Sequence, residues 1–151
     1  MASMKNLTTS IYDFEKLRKA DYLYIDKTDY IWHLIDPPGE SYFLSRPRRF
    51  GKSLLVSTLK AIFEGKKELF QGLAIYEKNY DWKPYPVLHL DMANCDAHTE
   101  NDLRDYLARL LTRQAQQHGV EVDVQRSQLA SSFSELIEKV AGKSKAVILA
   151  G

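Results

Sequence analysis

Cysteine, net charge and long apolar runs are all scarce in this chain. Its one cysteine, Cys95, allows no internal disulfide and fits a reducing compartment. Lys and Arg total 21 against 20 acidic residues, so no overall charge attracts the chain to nucleic acid or to a membrane. The four histidines are not spaced as metal ligands, and no apolar run is long enough to span a bilayer. We therefore expect a cytoplasmic protein without a membrane segment.

The remaining composition is that of a folded domain. The chain has 151 residues, of which 44% are hydrophobic, and this is enough for one domain with a core. Helices are predicted at residues 13–19, 26–35, 53–64, 68–72, 99–117 and 132–141, and extended segments at 22–25, 42–44, 86–92 and 146–149. Strands that alternate with helices predict an α/β fold, in which a mostly parallel sheet carries helices on both faces.

Local signals set several of these boundaries. Asp26 is expected to cap the second helix, and a turn is expected at residues 36–40. Thr99 is expected to cap the long fifth helix. Ser132 and Glu135 have the spacing of a capping box for the sixth helix.

Positive charge is concentrated in one stretch of the chain. Residues 41–63 carry five cations and no carboxylate, and four of the cations, Arg46, Arg48, Arg49 and Lys52, fall within seven residues. Such a stretch can be a solvated basic turn before a surface helix. It can also bind the phosphodiester backbone of a nucleic acid.

The order of residues within that stretch points to a third interpretation. Gly51-Lys52-Ser53 follows a predicted strand and precedes a predicted helix, which is the second half of a phosphate-binding loop. The glycine-rich form of this loop would have glycine at position 46, where this chain has Arg46. A nucleic-acid contact explains the arginines but not the Gly-Lys-Ser order.

Each residue of such a loop has a defined role in nucleotide binding. The backbone N–H groups at the start of a helix are unpaired and lie at its positive end, so they can surround a phosphate. We expect the N–H groups of Arg49, Phe50, Gly51, Lys52, Ser53 and Leu54 to do so. Lys52 would reach the β- and γ-phosphate oxygens, and the Ser53 hydroxyl would bind Mg²⁺.

Other candidate residues have a structural alternative that is at least as plausible. Tyr12, Phe14, Tyr22 and Tyr24 could stack on adenine, although aromatic residues at these spacings more often belong to a core. Asp91, at the end of the predicted strand 86–92, could bind the metal or serve as a turn residue. His89, in the same strand, is more plausibly packed or paired than a base.

Three motifs together resemble a known family. Tyr24-Ile25-Asp26-Lys27-Thr28, the loop from Arg46 to Leu54 and Tyr85-Pro86-Val87 resemble the AAA-ATPase-like family of bacterial proteins, over about residues 12–149. In that family the loop carries arginine at the position of Arg46. The resemblance implies a P-loop NTPase fold, ATP with Mg²⁺ as ligands, and a following domain similar to restriction-endonuclease-type nucleases, through which nucleic acid would be bound.

The chain departs from the family pattern after the last predicted strand. The resemblance implies that an acidic Walker B motif follows this strand, whereas this sequence reads Ala150-Gly151. At the other end of the chain, residues 1–10 precede the region of resemblance, and we expect them to be a flexible N-terminus. Residues 11–151 would be the N-terminal part of a P-loop ATPase-like domain that ends before Walker B. The chain would then be a truncated gene product, a fragment, or a chain whose missing half comes from a partner chain or another protomer.

These expectations give two functional hypotheses. In the first, the chain binds ATP or ADP and hydrolyses it weakly or not at all alone, with no catalytic residue identified. In the second, it is a non-catalytic interaction module that binds a protein partner or nucleic acid through its basic loop and an exposed sheet edge.

Overall fold

The computed structural model describes residues 4–8, 10–36, 51–142 and 145–150. The strand predicted at residues 42–44, most of the turn predicted at 36–40, and the basic residues from Arg46 to Arg49 lie outside the described residues. The chain divides into two compact units, Met1–Pro84 and Tyr85–Gly151. Each is described by itself.

Short helices build the first unit. They are α1 (Phe14–Lys19), α2 (Thr28–Ile35) and α3 (Lys52–Phe63), followed by two 3₁₀ turns at Lys67–Phe70 and Ala74–Glu77. The three helices lie within two residues of their predicted bounds. Residues 22–25, predicted to be extended, form no strand, and none of the described residues pairs with them in a sheet.

Aromatic side chains form the centre of the first unit's core. Phe14 is fully buried, stacks on Phe70 with 4.7 Å between ring centroids, and meets the edge of Tyr24 at 5.1 Å. Helix α3 contributes Ile62, which is also fully buried. Because burying one such side chain is worth roughly 1.5–3 kcal/mol, these contacts hold the short helices together.

The helical spacing of leucine, isoleucine and phenylalanine in α3 predicts one core-facing apolar stripe, and this prediction is partly correct. Ile62 is buried as predicted, while Leu55 and Leu59 are half-buried and pack against the core. Thr58 is buried although the pattern did not include it. Its hydroxyl donates to Leu54 O at 2.6 Å, and this bond lets a polar residue occupy a core position.

A carboxylate joins α2 to the second 3₁₀ turn. Asp26 Oδ1 accepts from the Thr28 N–H at 2.9 Å and from the Thr28 hydroxyl at 2.6 Å, while Asp26 Oδ2 accepts from the Ala74 N–H at 2.7 Å. The buried Thr28 hydroxyl accepts in turn from the Ile75 N–H at 3.0 Å. Lys27 is the N-cap residue of α2, so Asp26 binds the start of the helix from one position further out than expected.

The second unit contains a parallel pair of strands. Strand β1 (Val87–Leu90) pairs with β2 (Val147–Ala150), and Val87 lies opposite Val147. Helices α4 (Glu100–Gln117) and α5 (Leu129–Ala141) connect them, with a 3₁₀ turn at Arg126–Gln128. The mixture of helices with a small parallel sheet confirms the α/β class in this coarse sense.

The core of this unit is aliphatic. Leu88 of β1 and Leu136 of α5 are fully buried, and Leu111 and Ala115 of α4 are buried beside them. Thr99 caps α4 as predicted, because its hydroxyl accepts from the Asp102 N–H and the Asp102 carboxylate accepts from the Thr99 N–H.

Side chains of α4 close one edge of β1. The carbonyl oxygens of alternate strand residues point to the same side. Val87 O lies 2.9 Å from His118 Nε2, His89 O accepts from Gln114 Nε2 at 3.0 Å, and Asp91 O accepts from the Tyr106 hydroxyl at 2.7 Å. This edge of the sheet is therefore already hydrogen-bonded and does not offer carbonyl groups to another strand.

The capping box predicted at Ser132 and Glu135 is wrong. Helix α5 begins at Leu129, so Ser132 lies inside it. The buried Ser132 hydroxyl accepts instead from the Gln125 N–H at 3.0 Å, which joins the helix to the segment before it. Glu135 pairs with Lys139 one turn later, at 2.9 Å.

Replacing Asp26 by Asn should destabilise the protein. The amide NH₂ group would face two donors of Thr28 in one orientation and the Ala74 N–H in the other, so we expect a loss of about 1–3 kcal/mol in the free energy of unfolding at pH 7. Burial opposes ionisation, but the hydrogen bonds from Thr28 and Ala74 outweigh it and hold the pKa of Asp26 below 3.8. This stabilisation is complete above that pH and decreases as the pH falls below it. Urea unfolding measures it, with Asp36→Asn as the exposed control.

Glu15 should make a second, pH-dependent contribution. It lies 2.7 Å from Lys19 and 2.7 Å from Lys66, and these two ammonium groups lower the pKa of Glu15 from 4.5 to about 2. The contribution is therefore complete above pH 4.5 and lost as the pH falls towards 2. For these partly exposed pairs we expect Glu15→Gln to cost up to about 1 kcal/mol at pH 7. Unfolding titrations of Glu15→Gln and of the exposed control Glu68→Gln would contradict this if the two variants matched.

Candidate functional site

The structure describes four of the six predicted phosphate-binding residues. Gly51 is the N-cap of α3, and Lys52, Ser53 and Leu54 form the first turn of this helix. Arg49 and Phe50 lie outside the described residues.

Gly51 has a backbone conformation that favours glycine. Its φ of +79° and ψ of +19° lie in the left-handed region, where a residue with a side chain is strained. No described atom lies within 4 Å of the position that a Cβ would occupy. Among the described residues, the backbone conformation rather than lack of space therefore accounts for glycine here.

The first turn of α3 is open to an anion. Gly51, Lys52 and Ser53 are exposed, and no described residue accepts a hydrogen bond from the N–H groups of Lys52, Ser53 or Leu54. The Ser53 hydroxyl likewise has no partner among the described residues. These N–H groups lie at the positive end of the helix dipole, which favours a negative ligand.

The charge in this turn is also unusual for a helix start. Carboxylates occur in the first turns of α1, α2 and α4, where they complement the helix dipole, and the first turn of α5 is uncharged. The first turn of α3 has no carboxylate and carries Lys52. A cation at this end adds to the positive potential, so an anion bound here would interact favourably with both. The described residues thus fit a phosphate group.

Contacts made by Leu54 and by the residues after it hold α3 in place. Leu54 is half-buried against the first unit's core. Its carbonyl accepts from Thr58 Oγ1 at 2.6 Å and from Ser57 Oγ at 2.9 Å. The exposed first turn therefore begins a helix whose later residues are held in the core.

The four aromatic candidates have different environments. Phe14 is buried in the core and Tyr24 is half-buried against it, as the structural alternative predicted, and burial raises the pKa of Tyr24. Tyr22 is half-buried. Tyr12 is 62% exposed, so its ring is available to a ligand.

Asp91 serves as a turn residue after β1. Its Oδ1 accepts from the Ala93 N–H at 2.9 Å, which is the structural alternative that the sequence allowed. Searched over the described ranges, the chain has no group of three His, Cys, Asp or Glu residues placed to hold a metal ion.

The second unit has a cleft that the sequence did not indicate. It has a volume of about 370 Å³ and lies between Asn94 and Asp96, after β1, and charged residues of α4 that include Arg109 and Arg113. Only the spacing of these two arginines, one turn apart on a helix, could have suggested it. Carboxylates of Asp96, Asp102 and Asp105 line the same cleft, so its charges largely offset one another and we assign no ligand to it.

None of the helices in the described ranges combines the length and the apolar character needed to cross a bilayer.

Comparison with known proteins finds one informative relative and no matching solved structure. The chain is 40% identical, over 151 aligned positions, to an "Uncharacterized protein in vnfD 5'region" of Azotobacter chroococcum mcd 1. The alignment covers 97% of this chain but 28% of that protein. The chain therefore spans less than a third of its relative's length.

A family model described as predicted AAA-ATPase matches residues 8–150, nearly the whole chain. This range includes α3 and its Gly51-Lys52-Ser53 start, together with both strands of the second unit. The chain belongs to this AAA-ATPase-like family.

Proposed function

We propose that this chain binds ATP or ADP through the turn that opens α3. The observation that carries the proposal is the combination at this turn of a left-handed glycine, N–H groups without described partners, and an exposed lysine with no carboxylate nearby in the helix. The family assignment supports the choice of nucleotide over other anions.

Different residues of this turn would bind different parts of the ligand. Backbone N–H groups from Arg49 to Leu54 would bind phosphate oxygens, and Lys52 would neutralise the charge of the terminal phosphates. Ser53 would offer its hydroxyl to Mg²⁺, a cation that prefers oxygen ligands and keeps several waters. The metal would supply further charge neutralisation.

We propose that hydrolysis by this chain alone is weak or absent. Phosphoryl transfer needs groups that hold the metal and orient water as well as groups that bind phosphate. Asp91, the one acidic candidate identified at a strand end, already accepts a hydrogen bond within its own turn. Because the relative is much longer than this chain, we propose that a further segment, another protomer or a partner chain completes the catalytic site.

Lys52→Ala should weaken nucleotide binding. It removes a cation from the phosphate site, and since a hydrogen bond to a charged group is worth about 1.5–3 kcal/mol, we expect the Kd for Mg-ATP to rise about tenfold or more. Lys60→Ala is the matched control, because Lys60 is a second lysine of the same helix, in its last turn. Isothermal titration calorimetry on the folded chains measures both.

The same titrations separate nucleotide binding from the alternative of an interaction module. Specific ATP binding should be weakened by Lys52→Arg, because guanidinium and ammonium groups differ in shape. Binding of a single-stranded oligonucleotide through general charge should tolerate Lys52→Arg and fall steeply with salt. No saturable ATP binding by the wild-type chain, or equal binding by Lys52→Ala, would contradict the proposal.

Ser53→Ala should act through the metal. We expect it to reduce the gain in ATP affinity that Mg²⁺ provides, by about threefold to tenfold, since one hydrogen-bonding or ligating hydroxyl contributes on the order of 1 kcal/mol. ATP binding in EDTA should change little. Ser131→Ala, at an exposed serine of α5, is the control. An equal loss of affinity with and without Mg²⁺ would show that Ser53 does not bind the metal.

A further inference from the structure

Tyr12 is an exposed aromatic residue on a firmly held piece of chain. Its side chain is 62% exposed, whereas Phe14, two residues later, is fully buried against Phe70 and Tyr24. No described residue forms a hydrogen bond with the Tyr12 hydroxyl. An aromatic ring that is open to solvent and carried by fixed backbone is what stacking on a base requires, because little conformational entropy is lost on binding.

Ser57 of α3 holds this piece of chain. Its Oγ accepts from the Phe14 N–H at 2.9 Å. Its one hydrogen faces two carbonyl oxygens, Leu54 O at 2.9 Å and Tyr12 O at 3.3 Å. Residues 12–14 are therefore attached to α3 through a single side chain, and the buried Phe14 ring prevents them from sliding along the helix.

The point of attachment lies close to the proposed phosphate site. Ser57 follows Ser53 by four residues, so the two side chains share a face of α3 and are separated by about one turn, or about 6 Å along the axis. Side chains of a helix lean towards its N-terminus, so Ser57 reaches back towards the turn that contains Ser53. The Tyr12 carbonyl, which lies 3.3 Å from Ser57 Oγ, is thus beside α3 about one turn after the Gly51–Leu54 turn.

We propose that the Tyr12 ring is the stacking surface for the base of the bound nucleotide, an inference that rests on the proposed function of the Gly51–Leu54 turn. The phosphates would bind at the exposed turn and the base would lie over Tyr12 on the same face of the helix. Stacking uses the π-face that every base has, so it favours the larger purines without telling adenine from guanine. The ligand class is a purine nucleoside di- or triphosphate.

The test compares a ligand that has a base with one that has none. Calorimetry with Mg-ATP and with Mg-tripolyphosphate is carried out on the 151-residue wild type, Tyr12→Ala, Tyr12→Phe and Tyr30→Ala. Tyr30, on α2, is 77% exposed and is the matched control. We expect Tyr12→Ala to weaken Mg-ATP about tenfold, as loss of one stacked base does, with Tyr12→Phe within about twofold of wild type. Binding of tripolyphosphate should be unchanged in all three variants.

The possible outcomes distinguish failure of the Tyr12 stacking role from failure of the phosphate site at Gly51–Leu54. If wild type binds Mg-ATP and Tyr12→Ala binds it equally well, or if Tyr12→Ala loses tripolyphosphate to the same extent, the stacking role is wrong and the phosphate site stands. If wild type binds neither ligand, both are wrong. Circular dichroism checks that each variant is folded. Should Tyr12→Ala fail to fold, Tyr12→Leu, which keeps apolar bulk without a π-face, decides the question by the same comparison.

Discussion

Burial of the second half of α3 is the constraint on which the first unit depends. Ile62 and Thr58 are buried among the aromatic residues of the core, so the helix cannot rotate or shift without exposing them. Its first turn, from Gly51 to Ser53, is exposed. Because this helix start is exposed and already held in one orientation, it can bind a ligand without the entropic cost of ordering the site.

In the described part of the first unit, distant segments are connected by hydrogen bonds from side chains to backbone groups rather than by a sheet. Asp26 binds the Ala74 N–H, Arg18 donates to Leu69 O at 2.8 Å, and Ser57 accepts from the Phe14 N–H. Each joins segments more than forty residues apart. Because these segments are short, their positions depend on such bonds as much as on apolar contacts, and the exposure of Tyr12 beside α3 is one result.

In the second unit, one helix limits how the sheet can be extended. The α4 residues Tyr106, Gln114 and His118 occupy the outward carbonyl groups of β1. No described residue pairs with the second edge of β2. Among the described residues, the open edge of this sheet is therefore that of β2, where Ile148 is exposed.

The sequence alone determined the features that local interactions control. The start of α3 after Gly51 and the capping of α4 by Thr99 both depend on residues within one turn, and the family motifs are local as well. The roles of Ser132 and Asp91, and the exposure of Tyr12, were open or wrongly predicted. Each of these depends on which backbone group or apolar surface the fold brings next to the side chain, since a hydroxyl or carboxylate can accept hydrogen bonds from many donors. Only the tertiary structure decided which of these groups lies next to each side chain.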